Sequence, residues 1–365
     1  MTGIGIIGFG TVGTGTVKIL LQNYEIIRKR TGLDLRLLKV ADIDITRDRG
    51  VRLPQGVLTR DVSEVIDNPS IDIVVELIGG MRPAKDFILR AIRNKKHIVT
   101  ANKALLAEEG EEIFSEARRY GVMVGFEASV AGGIPIIKVI KEGLVGNRFL
   151  SIYGIINGTS NYILTKMTTE RVSFEEALRE AQRLGYAEAD PTLDVEGIDA
   201  THKLTILSSL AFGIPLSYQK IYREGITGIT PLDIDFASEL GYRIKLLAIA
   251  KLTDGELELR VHPTIVDIAK RLNTPELSPM AGAYSEIALK DMGDIMSMYY
   301  FRFTAIDRPG VLSKISGILG DHNISIASVI QKGRRVGGAV PLVILTHMAK
   351  EKDVKKALSE IDRLS

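Results

Sequence analysis

The 365-residue sequence has no cysteine and no tryptophan, and 47 Lys and Arg against 45 Asp and Glu leave a formal net charge of only +2. Without cysteine there are no disulfides, no thiolate nucleophile and no Cys-ligated zinc or iron–sulfur site. A charge this close to zero provides no overall field for nucleic acid or an anionic membrane. No window approaches the roughly 18–20 uninterrupted apolar residues of a membrane span. Nucleic acid and membrane are therefore not expected as partners.

The N-terminus starts almost at once with a strand-like run, Gly3-Ile4-Gly5-Ile6-Ile7. It lacks the basic segment, apolar core and cleavage site of a signal peptide, so a cytoplasmic protein is expected. The apolar content of 45% and the charged content of 25% are ordinary for a globular protein. The length is too great for one ordinary core and predicts two or three domains.

In the first third of the chain, short apolar runs alternate with amphipathic helical patterns. Ile4–Ile7, Leu35–Ala41 and the nearly continuous run Ile71–Ile78 predict strands, and Thr11–Lys29 predicts a helix. Continuous apolar strands separated by helices are typical of a parallel sheet covered on both faces. Residues 1–130 are therefore predicted to form a Rossmann-type, doubly wound α/β domain.

The remaining sequence has two further patterns of predicted secondary structure. Helical patterns such as Phe174–Leu184 dominate the stretch 131–298, which predicts an α/β domain for substrate binding and dimerisation, with 272–298 partly a connection. Residues 299–365 show strand, helix, strand, strand and helix in order. That order predicts a ferredoxin-like split βαβ domain whose last strand is absent.

The strongest cofactor signal is the Gly-x-Gly-x-x-Gly run that follows the first strand, Gly8-Phe9-Gly10-Thr11-Val12-Gly13. The first Gly permits a tight turn, the second lets the backbone approach a pyrophosphate, and the third lets helix and strand pack closely. The helix N-terminus then favours the anion. We interpret this run as a dinucleotide-binding loop; the alternative is a glycine-rich turn without a ligand.

Cofactor preference is left open by the residues after the second strand. Asp42 comes somewhat later than the usual ~20-residue spacing of an acid that binds the ribose 2′-hydroxyl of NAD. Arg47 and Arg49 follow it and suit the 2′-phosphate of NADP. The two signals conflict, and all three charges also fit a solvated loop.

A dense polar cluster lies between Gly185 and Lys203 in an otherwise apolar context. Asp199 and Lys203 are four residues apart at the start of a predicted helix, so they share one face. A partly buried Lys can accept the hydroxyl proton when an alcohol is dehydrogenated. Taken from the residues alone, the spacing favours a structural ion pair.

The cluster resembles the signature of homoserine dehydrogenases, Gly-Tyr-x-Glu-x-Asp-Pro followed by Asp-x-x-Gly-x-Asp-x-x-x-Lys. Further blocks of the same family occur in order from Gly8 to about Pro263: Glu76-Leu77-Ile78-Gly79-Gly80, Thr100-Ala101-Asn102-Lys103-Ala104-Leu105-Leu106-Ala107, Glu127-Ala128-Ser129-Val130-Ala131-Gly132-Gly133-Ile134-Pro135 and Asn157-Gly158-Thr159-Ser160-Asn161-Tyr162. The resemblance implies NAD- or NADP-dependent interconversion of L-homoserine and L-aspartate 4-semialdehyde, in threonine and methionine biosynthesis.

The resemblance also implies site residues. Lys203 matches the proton donor and acceptor, and Lys103 matches a Lys on the nicotinamide side that binds cofactor or assists proton transfer. The implied substrate-binding residues are Glu188, Asp194, Asp199, Gly158, Thr159 and Tyr186. The implied cofactor-binding residues are the loop Gly8 to Gly13 together with Asp42, Thr100, Lys103 and Gly185.

A monovalent cation, Na⁺ or K⁺, is implied at a glycine-rich turn. Its ligands in the family, largely backbone carbonyls, match Glu127, Val130, Gly132 and Ile134. Exposed carbonyls suit a hard cation. The alternative is purely conformational, with Pro135 starting the next helix. The five histidines show no metal-ligand spacing and are interpreted as packing or surface residues.

The C-terminal segment resembles an ACT domain, a small amino-acid-sensing module. The turn Asp307-Arg308-Pro309-Gly310 and the following His322-Asn323 carry the likeness. It implies threonine as effector and a homodimer or homotetramer, or else dimerisation with no effector. The segment before Tyr299, including Pro279-Met280-Ala281-Gly282, is shorter than the family pattern.

Two other functions stay open at this point. One is a different Rossmann oxidoreductase acting on an amino-acid semialdehyde. The other is a catalytically impaired amino-acid sensor, which the shortened segment motivates.

Overall fold

The structure is a computed structural model and describes residues 1–216, 218–267, 288–331 and 338–364. The chain divides into two compact units. The first contains Met1–Arg148 and Asp199–Gln219, and the second contains Phe149–Ile198 and the described residues from Lys220 onward. The sequence Gly337-Gly338 predicts a turn, and Gly337 lies outside the described residues. The segment around Pro279 also lies outside them.

The strands are numbered in chain order. They are β1 Thr2–Ile7, β2 Leu35–Ala41, β3 Leu58–Thr59, β4 Ile73–Glu76, β5 His97–Thr100, β6 Val124–Gly125, β7 Ser151–Gly154, β8 Tyr222–Arg223, β9 Tyr242–Thr253, β10 Glu256–Asp267, β11 Ala288–Leu289, β12 Met296–Ser297, β13 Tyr300–Ile306, β14 Ile326–Gln331, β15 Ala339–Thr346 and β16 Ala349–Lys350.

The α-helices are numbered in the same way. They are α1 Thr11–Gln22, α2 Tyr24–Thr31, α3 Ser63–Ile66, α4 Ala84–Arg93, α5 Lys103–Tyr120, α6 Ile136–Lys138, α7 Gly158–Glu170, α8 Phe174–Arg183, α9 Thr192–Val195, α10 Ile198–Phe212, α11 Pro231–Glu239, α12 Val311–Asp321 and α13 Glu351–Ile361. No described helix is long and apolar enough to span a membrane.

The first unit is built on a six-stranded sheet in the order β3-β2-β1-β4-β5-β6, with every pair parallel. This is the strand order of dinucleotide-binding Rossmann sheets, and the order reverses between β1 and β4. Buried residues such as Ile6, Val74 and Ile98 form the sheet's cores with the flanking helices. The predicted Rossmann-type fold is confirmed.

One predicted helix is wrong in its length. The run Thr11–Lys29 forms two helices, α1 and α2, because the backbone of Asn23 leaves the helical region with φ −102° and ψ 13°. Asn competes with the helix backbone for hydrogen bonds, so it favours helix ends over helix interiors. The apolar pattern continues across this break, and it therefore did not reveal the break.

The second unit contains a mixed sheet in the order β11-β10-β9-β7, with β8 paired to β10. Its centre is the antiparallel hairpin of β9 and β10, joined at Asp254-Gly255, where both residues have positive φ. An Asp-Gly turn of this kind matches the twist of the two strands. Helices α7 and α11 pack against β9.

The C-terminal part of the second unit forms an antiparallel sheet in the order β13-β15-β14, with α12 and α13. Apolar side chains such as Phe301, Leu319, Ile344 and Val354 form its own core. The strand–helix–strand–strand–helix pattern is confirmed. The domain boundaries at 130/131 and 298/299 stay predictions.

Candidate active site

The glycine loop connects β1 to α1. Gly8 has φ +103°, and a Cβ there would lie 2.7 Å from the Leu77 backbone. A Cβ on Gly13 would lie 2.1 Å from the Gly8 carbonyl oxygen, which explains the third glycine as a packing requirement. Around Gly10 a Cβ would meet no described atom within 4 Å. The space beside Gly10 is thus available to a ligand at the N-terminus of α1.

The carboxylate of Asp42 is bound to this loop. Its Oδ2 accepts a hydrogen bond of 2.5 Å from the Phe9 N–H, and its Oδ1 accepts one from the Asp44 N–H. Arg49 donates to the Phe9 carbonyl, lies 3.3 Å from Asp42 and covers the Phe9 ring. Asp42 and Arg49, two of the three charged residues that bear on cofactor preference, therefore shape the loop.

A chain of buried hydrogen bonds leads from the end of β4 to the start of α5. Glu76 is fully buried, and its carboxylate accepts hydrogen bonds from the Ile78 and Gly79 N–H groups and from the Thr100 hydroxyl. Asn102 caps α5 by accepting from the Leu105 N–H. Because α5 begins at the next residue, this network determines where the backbone of Lys103 lies.

Asp199 joins two lysines of the first unit. Lys203 Nζ lies 2.6 Å from Asp199 Oδ2, and Lys103 Nζ lies 3.0 Å from Asp199 Oδ1. The side chain of Asp199 is 8% exposed, that of Lys203 18% and that of Lys103 39%. The structure thus brings Lys103 together with Asp199 and Lys203, the other two residues predicted to be catalytic, although Lys103 precedes them by about 100 positions. One carboxylate positions both amines, and both amines keep access to a ligand.

His202 belongs to the same helix and was not singled out by the sequence. Its Nε2 lies 2.9 Å from Glu108 Oε1, and its ring stacks on Tyr218 at 4.7 Å. Burial lowers the pKa of His202, against the opposing effect of Glu108. It anchors α10 to α5, and because His202 and Glu108 lie far apart in the chain, no local spacing in the sequence indicates that contact.

The second unit holds a separate group of predicted residues at the N-terminus of α7. Asn157 caps the helix and donates to Asp194 Oδ1 at 2.6 Å, while Ser160 donates to the Asp194 carbonyl. Thr159 donates to the carbonyl of Tyr186 at 2.7 Å. Gly158 is the first residue of α7. The predicted substrate residues Gly158, Thr159, Tyr186 and Asp194 are thereby brought together.

Gly185 and Glu188 lie beside this group. Gly185 has φ +76° just after α8, and the exposed Glu188 has its carbonyl bound by Gln182. The Tyr186 ring is also exposed and lies 4.9 Å from that of Tyr162. Gly185 is in the second unit, whereas the other predicted cofactor residues are in the first.

The predicted cation ligands form a tight turn in the first unit. Both oxygens of Glu127 accept backbone N–H groups at the start of α6, from Ile137 and Lys138. Gly132 has φ +58°, and the Ile134 carbonyl accepts the Ile136 N–H. Within the described residues, no group of three or more His, Cys, Asp or Glu suits a metal. The side-chain carboxylate thus organises the turn, and backbone carbonyls are left as ligands for a cation.

A Rossmann sheet, a glycine loop at its first helix and paired lysines on a buried carboxylate define a dinucleotide-dependent oxidoreductase. Three family models match the chain: "Homoserine dehydrogenase, NAD binding domain" at residues 8–127, "Homoserine dehydrogenase" at 135–288 and "ACT domain" at 299–365. The chain belongs to the homoserine dehydrogenase family of NAD(P)-dependent enzymes.

Whole-chain relatives agree with the family models. The chain is 42% identical to the homoserine dehydrogenase of Neisseria gonorrhoeae and 41% identical to that of Pseudomonas aeruginosa, each match covering 99% of this chain and 95% of the relative. A solved homoserine dehydrogenase from Thiobacillus denitrificans superimposes with a TM-score of 0.90 at 42% identity, covering 100% of this chain and 95% of the other. One from S. aureus gives 0.76 at 31%, covering 98% and 96%.

Proposed function

We propose that this enzyme interconverts L-homoserine and L-aspartate 4-semialdehyde, in the cytoplasm, with NAD or NADP as hydride carrier. The observation that carries the proposal is the bridge of Asp199 between Lys103 and Lys203 at 3.0 and 2.6 Å. Oxidation of an alcohol needs a general base, such as an amine, held where the hydroxyl proton leaves. The two homoserine dehydrogenase family models support the same substrate.

Lys203 acts as the proton acceptor in the oxidation direction and the donor in reduction. The hydroxyl proton of homoserine moves to the neutral amine of Lys203. A bound nicotinamide would supply the acceptor for the hydride that leaves the carbon bearing that hydroxyl. Asp199 orients the amine through its Oδ2 and stabilises the ammonium that forms. Lys103, on the other carboxylate oxygen, either binds cofactor or assists the proton transfer.

The glycine loop from Gly8 to Gly13, including Phe9, Thr11 and Val12, holds the pyrophosphate. The open space beside Gly10 fits this role, because a phosphate there meets backbone N–H groups at the N-terminus of α1. Asp42 and Arg49 face the adenosine ribose, and Thr100 and Gly185 complete the cofactor-binding residues.

Substrate recognition is assigned to Glu188, Asp194 and Asp199, with Gly158, Thr159 and Tyr186. The ammonium of homoserine needs several acceptors once water is removed, and carboxylates provide the strongest ones. Asp194 is held in place by Asn157, so it is pre-oriented for such a contact.

A monovalent cation, Na⁺ or K⁺, is proposed at Glu127, Val130, Gly132 and Ile134. Among the described residues no hydrogen-bond donor reaches the carbonyls of Val130 and Gly132, so both fit a cation ligand. The ion would stabilise the turn and take no part in catalysis. Exhaustive exchange of Na⁺ and K⁺ for tetramethylammonium should lower activity and thermal stability; unchanged values would contradict the assignment.

The C-terminal ACT domain is proposed to sense an amino acid, with threonine as the first candidate, in a homodimer or homotetramer. Three domains, 1–130, 131–298 and 299–365, divide the roles of cofactor, substrate and effector binding. Light scattering on the purified chain tests the oligomeric state, and rate measurements with and without L-threonine test regulation.

The absorbance change at 340 nm with L-homoserine tests the main proposal. Reduction of NAD⁺ or NADP⁺ is expected, and the ratio of kcat/KM for the two establishes the preference. Activity only with another alcohol would indicate a different semialdehyde oxidoreductase. Threonine binding with no turnover would indicate a sensor that has lost catalysis.

Lys203→Met tests the proton-transfer role. General acid–base catalysis contributes about 10²–10⁴-fold, so kcat should fall by at least that lower figure. Cofactor binding, measured by NADPH fluorescence in this tryptophan-free chain, should persist. Lys29→Met, on the exposed end of α2, is the matched control. Full turnover in Lys203→Met would refute the role.

A further inference from the structure

A cavity of about 430 Å³ lies within the second unit, apart from the residues assigned to catalysis. One wall comes from β8 and β10 and includes Tyr222, Arg260 and His262. The other wall comes from the ACT domain, through Tyr299 and β13, and from Glu351 at the start of α13. Its size is that of an ordinary small-molecule pocket.

Three carboxylates line this cavity, and one of them, Asp233, is already paired with Arg302. Glu351 is buried, and its one described ion pair, with the exposed Lys355, is loose at 3.5 Å. Glu224 receives a hydrogen bond of 3.2 Å from the Tyr222 hydroxyl. Partial burial, together with the negative charge of Glu351, raises the pKa of Glu224. The like charges of Glu224 and Glu351 in one cavity favour the entry of a cation.

The cation that fits here is a small ammonium group. Tyr222 and Tyr299 line the two walls, and their rings favour an ammonium through cation–π contacts. Lys355 Nζ lies 5.9 Å from the centre of the Tyr222 ring, so this ring already has one cation as a neighbour. A bare metal ion would need more oxygen ligands than two carboxylates provide.

The same cavity offers a site for an anion. Arg260 is largely buried, and its Nε has no hydrogen-bond partner among the described residues. Its one described acidic neighbour, Glu258, lies at 3.8 Å. The neutral His262 ring donates through Nδ1 to the Pro263 carbonyl, so its buried Nε2, which has no described partner, can only accept a hydrogen bond. A buried donor without an acceptor is costly, so a carboxylate at Arg260 would relieve that cost.

Six apolar side chains also line the cavity and suit a short ligand side chain without charge. They are Ile229, Ile244, Ile249, Ile265, Met292 and Met298. Tyr300 and Arg302 line it as well, and both donate to Asp233. Acidic, basic and apolar surfaces in one small cavity are the three contacts that an α-amino acid requires.

We propose that this cavity binds a small free α-amino acid with an uncharged side chain, its ammonium at Glu224 and Glu351 and its carboxylate at Arg260. No described lining residue belongs to the turn Asp307–Gly310 or to Asn323, so this site is separate from the one that the ACT resemblance implies. This proposal names a binding site for the amino-acid sensing proposed above, and it rests on that proposed function.

The ligand would couple two parts of the chain. Tyr300 and Arg302 of the ACT wall both donate to Asp233 at the start of α11, which packs against α7. Helix α7 begins at Gly158 and Thr159, the proposed substrate contacts. A ligand held by both walls therefore changes an interface that is directly connected to the substrate residues.

Isothermal titration calorimetry on the full chain, without substrate or cofactor, tests the site. The probes are L-threonine and its near-isostere L-valine, each compared with truncated analogues: 1-amino-2-propanol and 3-hydroxybutyrate, or isobutylamine and isovalerate. At least one amino acid should bind, and loss of either charged group should weaken its Kd at least tenfold. No binding by either amino acid, or equal binding by the truncated analogues, would overturn the proposal.

Variants locate the binding. Glu351→Gln and Arg260→Met should each weaken Kd at least tenfold, whereas Glu360→Gln, the same change on the exposed side of α13, should not. Circular dichroism checks that each variant folds. If a charge variant does not fold, Tyr222→Phe, which removes only one hydroxyl, replaces it in the titration. If Asn323→Ala loses binding while Glu351→Gln keeps the wild-type Kd, the ligand lies at the ACT turn and the proposal for the cavity is refuted. Because the titration needs no turnover, an inactive enzyme would not obscure the result.

Discussion

Replacing Asp233 by Asn should destabilise the contact between α11 and the first strand of the ACT domain. The carboxylate is buried, and it accepts hydrogen bonds from Tyr300 at 2.9 Å and Arg302 at 2.7 Å through Oδ1. Its other oxygen accepts from the backbone and hydroxyl of Thr230, forming the capping box of α11. Burial alone would raise the pKa of Asp233, but these hydrogen bonds together lower it.

The size of the effect follows from these contacts. Asn keeps one acceptor oxygen and turns the other into a donor, so either the Thr230 pair or the Tyr300 and Arg302 pair faces an NH₂ group. Hydrogen bonds to charged groups contribute about 1.5–3 kcal/mol each, and breaking a buried ion pair costs about 3–5 kcal/mol. Since the Arg302 side chain is 29% exposed, the lower end applies, at about 3 kcal/mol.

Differential scanning calorimetry measures this change. For a cooperative unit of 150–250 residues, about 3 kcal/mol corresponds to a Tm decrease of roughly 6–12 °C. Asp235→Asn, on the same helix, is the matched control, because its Arg171 partner lies at 3.9 Å and both side chains are solvent-exposed. That control should stay within about 0.5 kcal/mol of the wild type.

The result that would refute the reasoning is a Tm for Asp233→Asn equal to that of Asp235→Asn. A double-mutant cycle with Arg302→Met isolates the pair, and we expect a coupling energy of about 1–2 kcal/mol. An additive double variant would show that Asp233 stabilises the structure through Thr230 and Tyr300, without a contribution from Arg302.

Two further predictions concern the cofactor loop and pH. Gly13→Ala should lower the Tm of the cofactor-free protein, because the new Cβ would collide with the Gly8 carbonyl. Gly10→Ala should leave that Tm unchanged and should weaken NADPH binding, measured by fluorescence. Equal Tm values for the two variants would contradict the packing argument. Burial lowers the pKa of His262 to about 4, below its unfolded value, so its contribution to stability is complete above about pH 6.5 and is lost as the pH falls towards 4. Between pH 7.5 and 5 it should amount to roughly 2 kcal/mol, and His262→Gln should show a correspondingly smaller loss in denaturant titrations; identical pH profiles would refute this.

Local patterns predicted a large share of the fold. The run Gly8 to Gly13 after an apolar strand predicted the loop and helix correctly, because the positive φ of Gly8 and the close approach of Gly13 to the Gly8 carbonyl are both local requirements. The order strand, helix, strand, strand and helix within residues 299–365 was also predicted correctly. Short elements such as α3 and β3 were missed, since four or fewer residues show no periodicity.

The long hairpin of β9 and β10 was missed although a signal for it exists. Asp254-Gly255 between two β-branched and aliphatic runs is a typical two-residue hairpin turn. Helical patterns dominate the surrounding sequence, so the hairpin was not predicted. The hairpin matters for function, because it supplies Arg260 and His262 to the cavity in the second unit.

The sequence by itself determined the Rossmann pattern, the glycine loop and the ACT pattern, because strand and helix periodicity, turns and caps depend on neighbouring residues. It also placed Asp199 and Lys203 on one helical face. Only the tertiary structure decided that Lys103 contacts the same carboxylate, that Asp233 receives Tyr300 and Arg302, and that Glu351 shares a cavity with Arg260. These contacts join residues distant in the chain, and their formation depends on how whole elements pack rather than on any local spacing.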